Sequence, residues 1–314
     1  MKFFYLLLLC FMPMLGFAQE SYSPKKLGYQ LHVSEELTEH EIMSFFVLPG
    51  TKLNIYLDNQ GRQKQPLKLT INQGDKTYQS TQGEWELALP NKPGLVTITV
   101  TPETLKPATL NFFVLHPLKD VKKGKLNGYQ IGNYPKEPYK ALDIYLPPEG
   151  FVEVTKANQN MWLSPHYQLK QFVSKQGGSY PRYVVLQTKL LRKLEFLTEA
   201  VNKKGIATQG FHIMSGYRTP YYNKLIKNRL WSRHQWGGAS DIFIDENPKD
   251  GRMDDLNRDG KIDVKDARYL ADLVEEYYTS PSFQPYIGGL GIYKANAAHG
   301  PFIHVDVRGF RARW

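Results

Sequence analysis

Ser232-Arg233-His234-Gln235-Trp236-Gly237-Gly238-Ala239-Ser240-Asp241, running on into Ile242-Phe243-Ile244, is the stretch on which the C-terminal half of this 314-residue chain turns. A His and an Asp stand seven apart with two adjacent glycines between them. Glycine pairs disfavour a helix, and the apolar triplet after Asp241 reads as a buried strand, so the segment is a loop running into a strand. On such a turn both side chains can converge on one ion. Near the C-terminus, Phe302-Ile303-His304-Val305-Asp306-Val307 alternates, which puts His304 and Asp306 on one face of a strand. Two imidazoles and one carboxylate leave an open fourth position on a tetrahedral zinc, where water can be activated for hydrolysis. A His bonded to a carboxylate is also a common structural pair, and the residues alone leave both readings standing.

Outward from this stretch, Leu186, Leu190, Leu194, Leu197 and Val201 share one face of a helix that Gly205 stops. Between the two His-bearing segments lies Asp255-Leu256-Asn257-Arg258-Asp259-Gly260-Lys261-Ile262-Asp263-Val264-Lys265-Asp266. Its oxygen side chains fall at loop positions one, three, five, nine and twelve, with Gly at six and a hydrophobic residue at eight, the spacing of an EF-hand. Calcium ligands are therefore expected at Asp255, Asn257, Asp259, Lys261, Asp263 and Asp266. The closing Asp, in place of Glu, resembles the calcium loops of dockerin modules. Ala267, Leu270, Val274 and Tyr277 give the helix that should follow. The preceding Asp245 to Gly251 adds oxygen atoms without the spacing, as an incomplete partner.

From about Phe45 to Leu115 apolar residues alternate in short runs, such as Leu53, Ile55, Leu57 and Val96, Ile98, Val100, with turn signals at Asn59-Gln60-Gly61, Asn72 to Asp75 and Pro90 to Gly94. This predicts a small antiparallel sandwich of the immunoglobulin-like kind over residues 25–116, an accessory module without a cluster of catalytic residue types. Residues 117–160, rich in Lys, Pro, Gly and Tyr and without a sustained period, read as a linker with a short ordered segment. Residues 161–314 form the second domain. Residues 1–18 carry Lys2, a short apolar run and small residues at Gly16 and Ala18, the pattern of a secretory signal peptide rather than a membrane anchor. The single Cys10 falls inside it, so the mature chain is expected to lack disulfides and to bind metal through His and carboxylates. The formal charge of +10 would attract anionic polymers such as nucleic acid, acidic lipid or cell-wall polymer; export argues against nucleic acid, and a solvated basic surface with no specific partner is the default reading.

The ten residues from Ser232 to Asp241 match SxHxxGxAxD, and the chain here resembles the D-Ala-D-Ala carboxypeptidase-like zinc peptidases, a group that includes hedgehog-type domains and phage endolysins. The resemblance extends to Ser215-Gly216-Tyr217-Arg218-Thr219-Pro220, similar to the family's SGYRS segment, to Gly288 through Tyr293 and to His304-Val305-Asp306, covering roughly the last 130 residues. It implies an α+β domain with a small antiparallel sheet, zinc on His234, Asp241 and His304, and substrate contacts from Arg218, Tyr217 and Ser232. Arg218 would bind a substrate carboxylate or the oxyanion, or else form a structural ion pair. Many members place the catalytic carboxylate three residues before the last ligand, where this chain has Pro301. Asp306 and His299 remain as candidate proton acceptors, and Asp306 equally as the group that orients a metal-bound His. The implied function is periplasmic or secreted hydrolysis of peptidoglycan stem peptides or cross-links, by carboxypeptidase or endopeptidase action. The alternatives are a catalytically inactive peptidoglycan-binding module and an envelope adhesin built on the N-terminal sandwich.

Overall fold

The alternating apolar residues of the first hundred positions pair into two sheets. The computed structural model describes residues 21–58, 67–71, 76–80 and 84–314; the expected leader, Cys10 and the turns at 59–61 and 72–75 lie outside them. Strands β1 (Lys26–Val33), β2 (Glu36–His40), β3 (Ile42–Val47), β4 (Lys52–Asp58), β5 (Leu67–Ile71), β6 (Lys76–Ser80), β7 (Glu84–Ala88), β8 (Gly94–Pro102) and β9 (Ala108–Val114) form sheets of order β2-β1-β4-β7 and β3-β9-β8-β5-β6. Along β4, Leu53, Ile55 and Leu57 are buried, and along β8, Val96, Ile98 and Val100, as period-two alternation requires. The β3–β9 pairing is parallel, so the second sheet is mixed rather than antiparallel throughout. β9 also departs from alternation: Leu110, Asn111, Phe112, Phe113 and Val114 are all buried. Its second face is covered by the rest of the chain, since the Asn111 amide donates to the Trp162 carbonyl at 3.2 Å.

Short strands follow: β10 (His116–Pro117), β11 (Lys125–Leu126), β12 (Tyr129–Gln130), β13 (Gly150–Val154), β14 (Trp162–Ser164), β15 (Tyr167–Gln168) and β16 (Arg182–Val184). Where a linker was expected, residues 117–160 bury Leu126, Tyr129, Ile131, Tyr145 and Phe151. They also brace the segment that carries His234. The Tyr134 hydroxyl donates to the Gln235 carbonyl at 2.9 Å, the Trp236 indole donates to the Leu146 carbonyl at 2.8 Å, and the Arg233 guanidinium donates to the Ile144 carbonyl.

Helix α1 (Thr188–Lys203) buries Leu190, Leu194, Leu197 and Val201, each fully buried leucine contributing about 1.5–3 kcal/mol. Its Thr188 hydroxyl donates to the Ser44 carbonyl of β3 at 3.0 Å, and the buried apolar side chains of both halves join in one continuous core. Strand β17 (His212–Ser215), helix α2 (Pro220–Leu225), β18 (Ala239–Phe243), helix α3 (Val264–Glu276), β19 (Gly289–Tyr293), β20 (Phe302–Asp306) and β21 (Ala312–Arg313) complete the chain. A five-stranded sheet of order β17-β18-β20-β19-β21 places β18 and β20 at its centre as antiparallel neighbours. The molecule is thus mixed and strand-rich, with few helices, several small sheets and no barrel among the described residues. No helix among them is long and apolar enough to cross a membrane.

Candidate metal centre

Asp241 and His304 are directly opposed in the β18–β20 register, so their side chains rise together from one face of the sheet. His234 reaches them from a single 3-10 turn, Arg233–Trp236, that stops at Gly237. Gly237 has φ +63°, and a Cβ there would stand 2.3 Å from the Val185 carbonyl oxygen. Only glycine meets both conditions, which is why the loop enters the strand at that point.

His234 Nε2, His304 Nδ1 and Asp241 Oδ1 lie 2.9–3.1 Å from one another, and all three residues are buried. Their outer atoms are already engaged. His234 Nδ1 is 2.7 Å from the Gly216 carbonyl, and His304 Nε2 is 3.2 Å from Asp306 Oδ2. A carbonyl and a carboxylate only accept, so the outer nitrogens carry protons, and in neutral rings the inner nitrogens present lone pairs. Two lone pairs and a carboxylate oxygen converging in a buried site repel one another unless a cation lies between them. The edges also suit a tetrahedral zinc, whose ligand atoms at about 2.0–2.1 Å stand about 3.3 Å apart. The buried His234–Asp241–His304 group can hold a metal ion.

Burial pushes His234 below its ordinary pKa, and the Asp241 charge opposes this only in part. For His304 burial acts in the same direction, but hydrogen bonds to Asp241 and Asp306 outweigh it and raise the pKa. The difference follows from position: His304 lies between two carboxylates, whereas His234 has one, with the Arg218 cation nearby. Burial would raise the Asp241 carboxyl, yet His234, His304 and Arg218 together hold it well below the usual carboxylate range.

The other sequence-predicted residues divide by location. Arg218 donates from Nε to Ser215 Oγ at 2.8 Å and ion-pairs through Nη2 with Asp241 Oδ2, so its ion-pair reading is realised while it also lines the cavity above the group. Ser232 and His299 line that cavity too. Tyr217 is turned into the core, its hydroxyl 3.0 Å from that of Tyr134. Asp306 is fully buried behind His304 and accepts from the Gly289 N–H at 2.8 Å and from the Arg308 guanidinium at 2.9 Å. Burial would raise its carboxyl, but His304 and Arg308 hold it well below the usual range.

The loop expected to bind calcium stands apart from this centre. Asp255 accepts from the Gly260 N–H at 2.7 Å, Asn257 from Asp259 N–H at 2.9 Å, and Asp259 from Lys261 N–H at 3.1 Å. Asp263 caps α3 and Asp266, fully buried, accepts from the N–H groups of Leu256, Asn257 and Asp263. Among the described residues, the group of His, Cys, Asp and Glu whose ligand atoms come within 4.8 Å of one another is His234–Asp241–His304, not this loop.

The cavity has a volume of about 890 Å³ and is walled by residues the sequence did not single out for the site: Tyr139, Trp231, Tyr293, Phe302, Arg308 and Trp314. The Trp314 ring lies 5.1 Å from His304, and its indole donates to the Tyr293 hydroxyl at 2.6 Å. Gly291 makes room for it, since a Cβ there would meet the indole at 2.5 Å. Tyr139 comes from the segment read as a linker and packs 5.3 Å from Trp231. For Arg308 the signal that could have found it is a charge two residues beyond Asp306, at the end of an alternating strand; for Tyr139 the sequence carries no local signal. No family model matches the chain, and neither does any of the curated proteins compared with it.

Proposed function

We propose that the chain is a zinc-dependent peptidase acting on peptidoglycan stem peptides or cross-links outside the cytoplasm. The observation that carries this reading is the convergence of His234 Nε2, Asp241 Oδ1 and His304 Nδ1 at the base of an open, aromatic-walled cavity. Two imidazoles and one carboxylate are a donor set for a catalytic rather than a closed structural zinc. When bound there, zinc supplies Lewis acidity to a peptide carbonyl and to water. The substrate class rests on the resemblance of Ser232–Asp241 and Ser215–Pro220 to the carboxypeptidase-like family.

The chain's own residues divide the remaining work. Asp306, held by Arg308 and the Gly289 N–H, fixes the tautomer and angle of His304. His299 takes the role of proton acceptor, since it lines the cavity whereas Asp306 does not; its Nε2 would have to exchange the hydrogen bond it accepts from the Asn296 amide at 2.8 Å for the water. Arg218, bound to Asp241, keeps that carboxylate ionised and directs positive charge to the cavity where a substrate carboxylate or an oxyanion would lie. Calcium at Asp255–Asp266 belongs to the same reading and rests on the EF-hand spacing of the sequence.

Mass spectrometry of muropeptides from purified cell wall tests the proposal. Zinc-loaded protein should create new peptide ends, and His234→Ala should create none. Equal product patterns from both would sink the zinc mechanism, while zinc-loaded protein that binds cell wall without releasing peptides would favour the binding module, as Pro301 in place of the upstream carboxylate would allow.

A further inference from the structure

We propose that residues 221–230 form a docking surface for a lipid bilayer bearing anionic headgroups, a property independent of the peptidase reading. Four large apolar side chains stand out of the protein within ten residues: Tyr221 is 42% exposed, Leu225 62%, Ile226 43% and Leu230 58%. Slack in the chain does not explain this, because the backbone is tied down from within. The side-chain amide of Asn223, itself 2% exposed, donates to the Arg229 carbonyl at 3.0 Å, and the Asn223 backbone carbonyl accepts from the Asn228 N–H at 3.0 Å. Buried Gln235 donates to the Leu230 carbonyl at 2.6 Å, and the Tyr221 N–H donates to the Ile131 carbonyl at 2.9 Å. The loop is held firmly in a shape that presents its apolar side chains to the outside.

Lys224, Lys227 and Arg229 are exposed among these side chains, and from Ala200 to Ser240 the sequence contains no Asp or Glu. Apolar groups interleaved with unopposed cations suit a headgroup layer, where the leucines enter the acyl boundary and the cations meet phosphate. A purely electrostatic polymer would leave Leu225 and Leu230 without a partner. A second copy of the chain, meeting this face through a two-fold axis, would set three cations against three cations. Asn228, Arg229 and Trp231 of the same loop line the cavity that holds His234, Asp241 and His304, so docking would bring the cavity mouth to the bilayer surface.

Cosedimentation of the purified protein with vesicles tests this, using mixed phosphatidylglycerol and phosphatidylethanolamine against phosphatidylcholine alone, in roughly 0.1 M salt. The expected result is binding to the anionic vesicles only, weakened as salt is raised. Leu225→Asp with Leu230→Asp should lower binding about tenfold or more, as should Lys224→Glu with Lys227→Glu. His234→Ala should bind vesicles like the parent protein, so loss of the metal reading leaves this result intact. The proposal is overturned if the parent protein ignores anionic vesicles or binds both kinds equally. It is also overturned if both double variants bind as well as the parent, or if sedimentation velocity shows a dimer that Leu225→Asp with Leu230→Asp dissolves.

Discussion

His304 turns Nδ1 toward His234 and Asp241 and gives Nε2 to Asp306, so on the proposed reading the buried carboxylate would act on a bound metal through the ring and not on the substrate. His299 lines the cavity and packs edge-on at 4.8 Å against Phe302, with Nδ1 2.8 Å from the Gly300 carbonyl. The two variants should therefore fail differently. Asp306→Asn should weaken zinc binding about 10–100-fold, measured by competition with a chromophoric chelator. His299→Ala should leave zinc affinity within about twofold and lower kcat about 10²–10⁴-fold. The reverse pattern would exchange the two roles. At this scale the grouping of His234, Asp241 and His304 was legible because they sit in short motifs that carry the family resemblance. The resemblance implied a substrate contact from Tyr217, but its side chain leaves the backbone toward Tyr134, a direction that spacing does not encode.

The 3-10 turn at Arg233–Trp236 and the strand after it bring His234 and Asp241 together, and Gly237 joins the two. Gly237→Ala would force a Cβ into the Val185 carbonyl at a left-handed φ, which should cost about 2–4 kcal/mol in denaturant unfolding. A variant with unchanged midpoint would show that the turn adapts freely. The loop and the strand were both readable from the glycine pair and the apolar triplet. α1 was equally readable from its leucine spacing, although Leu186 precedes its first residue. For the loop before α3, calcium should raise the melting temperature and an excess of chelator should lower it. An unchanged melting temperature would leave Asp263 and Asp266 as helix caps alone.

Across the whole molecule, the segment from 117 to 160 and helix α1 tie the N-terminal sheets to the metal centre. Residues 117–160 have no period because they are a series of two- to five-residue strands and single turns held by tertiary contacts, and such contacts leave no local pattern. Lys193 of α1 lies fully buried beneath the centre and donates to the Asp306 carbonyl at 2.7 Å. Burial lowers its pKa to about 7 from 10.5, only partly opposed by the Asp306 charge. Between those values the unfolded chain binds the proton and the folded chain does not, so this group makes stability rise with pH across that window. Lys193→Met should flatten the rise in a series of denaturant titrations; identical slopes would show that the lysine is solvated in solution.

The most direct measurement of the central claim is the metal content of the purified protein after equilibration with zinc and desalting, compared with that of Asp241→Ala. One zinc per chain in the parent and about none in the variant is the expected result. Equal zinc in both would contradict the assignment of His234, Asp241 and His304 as its ligands.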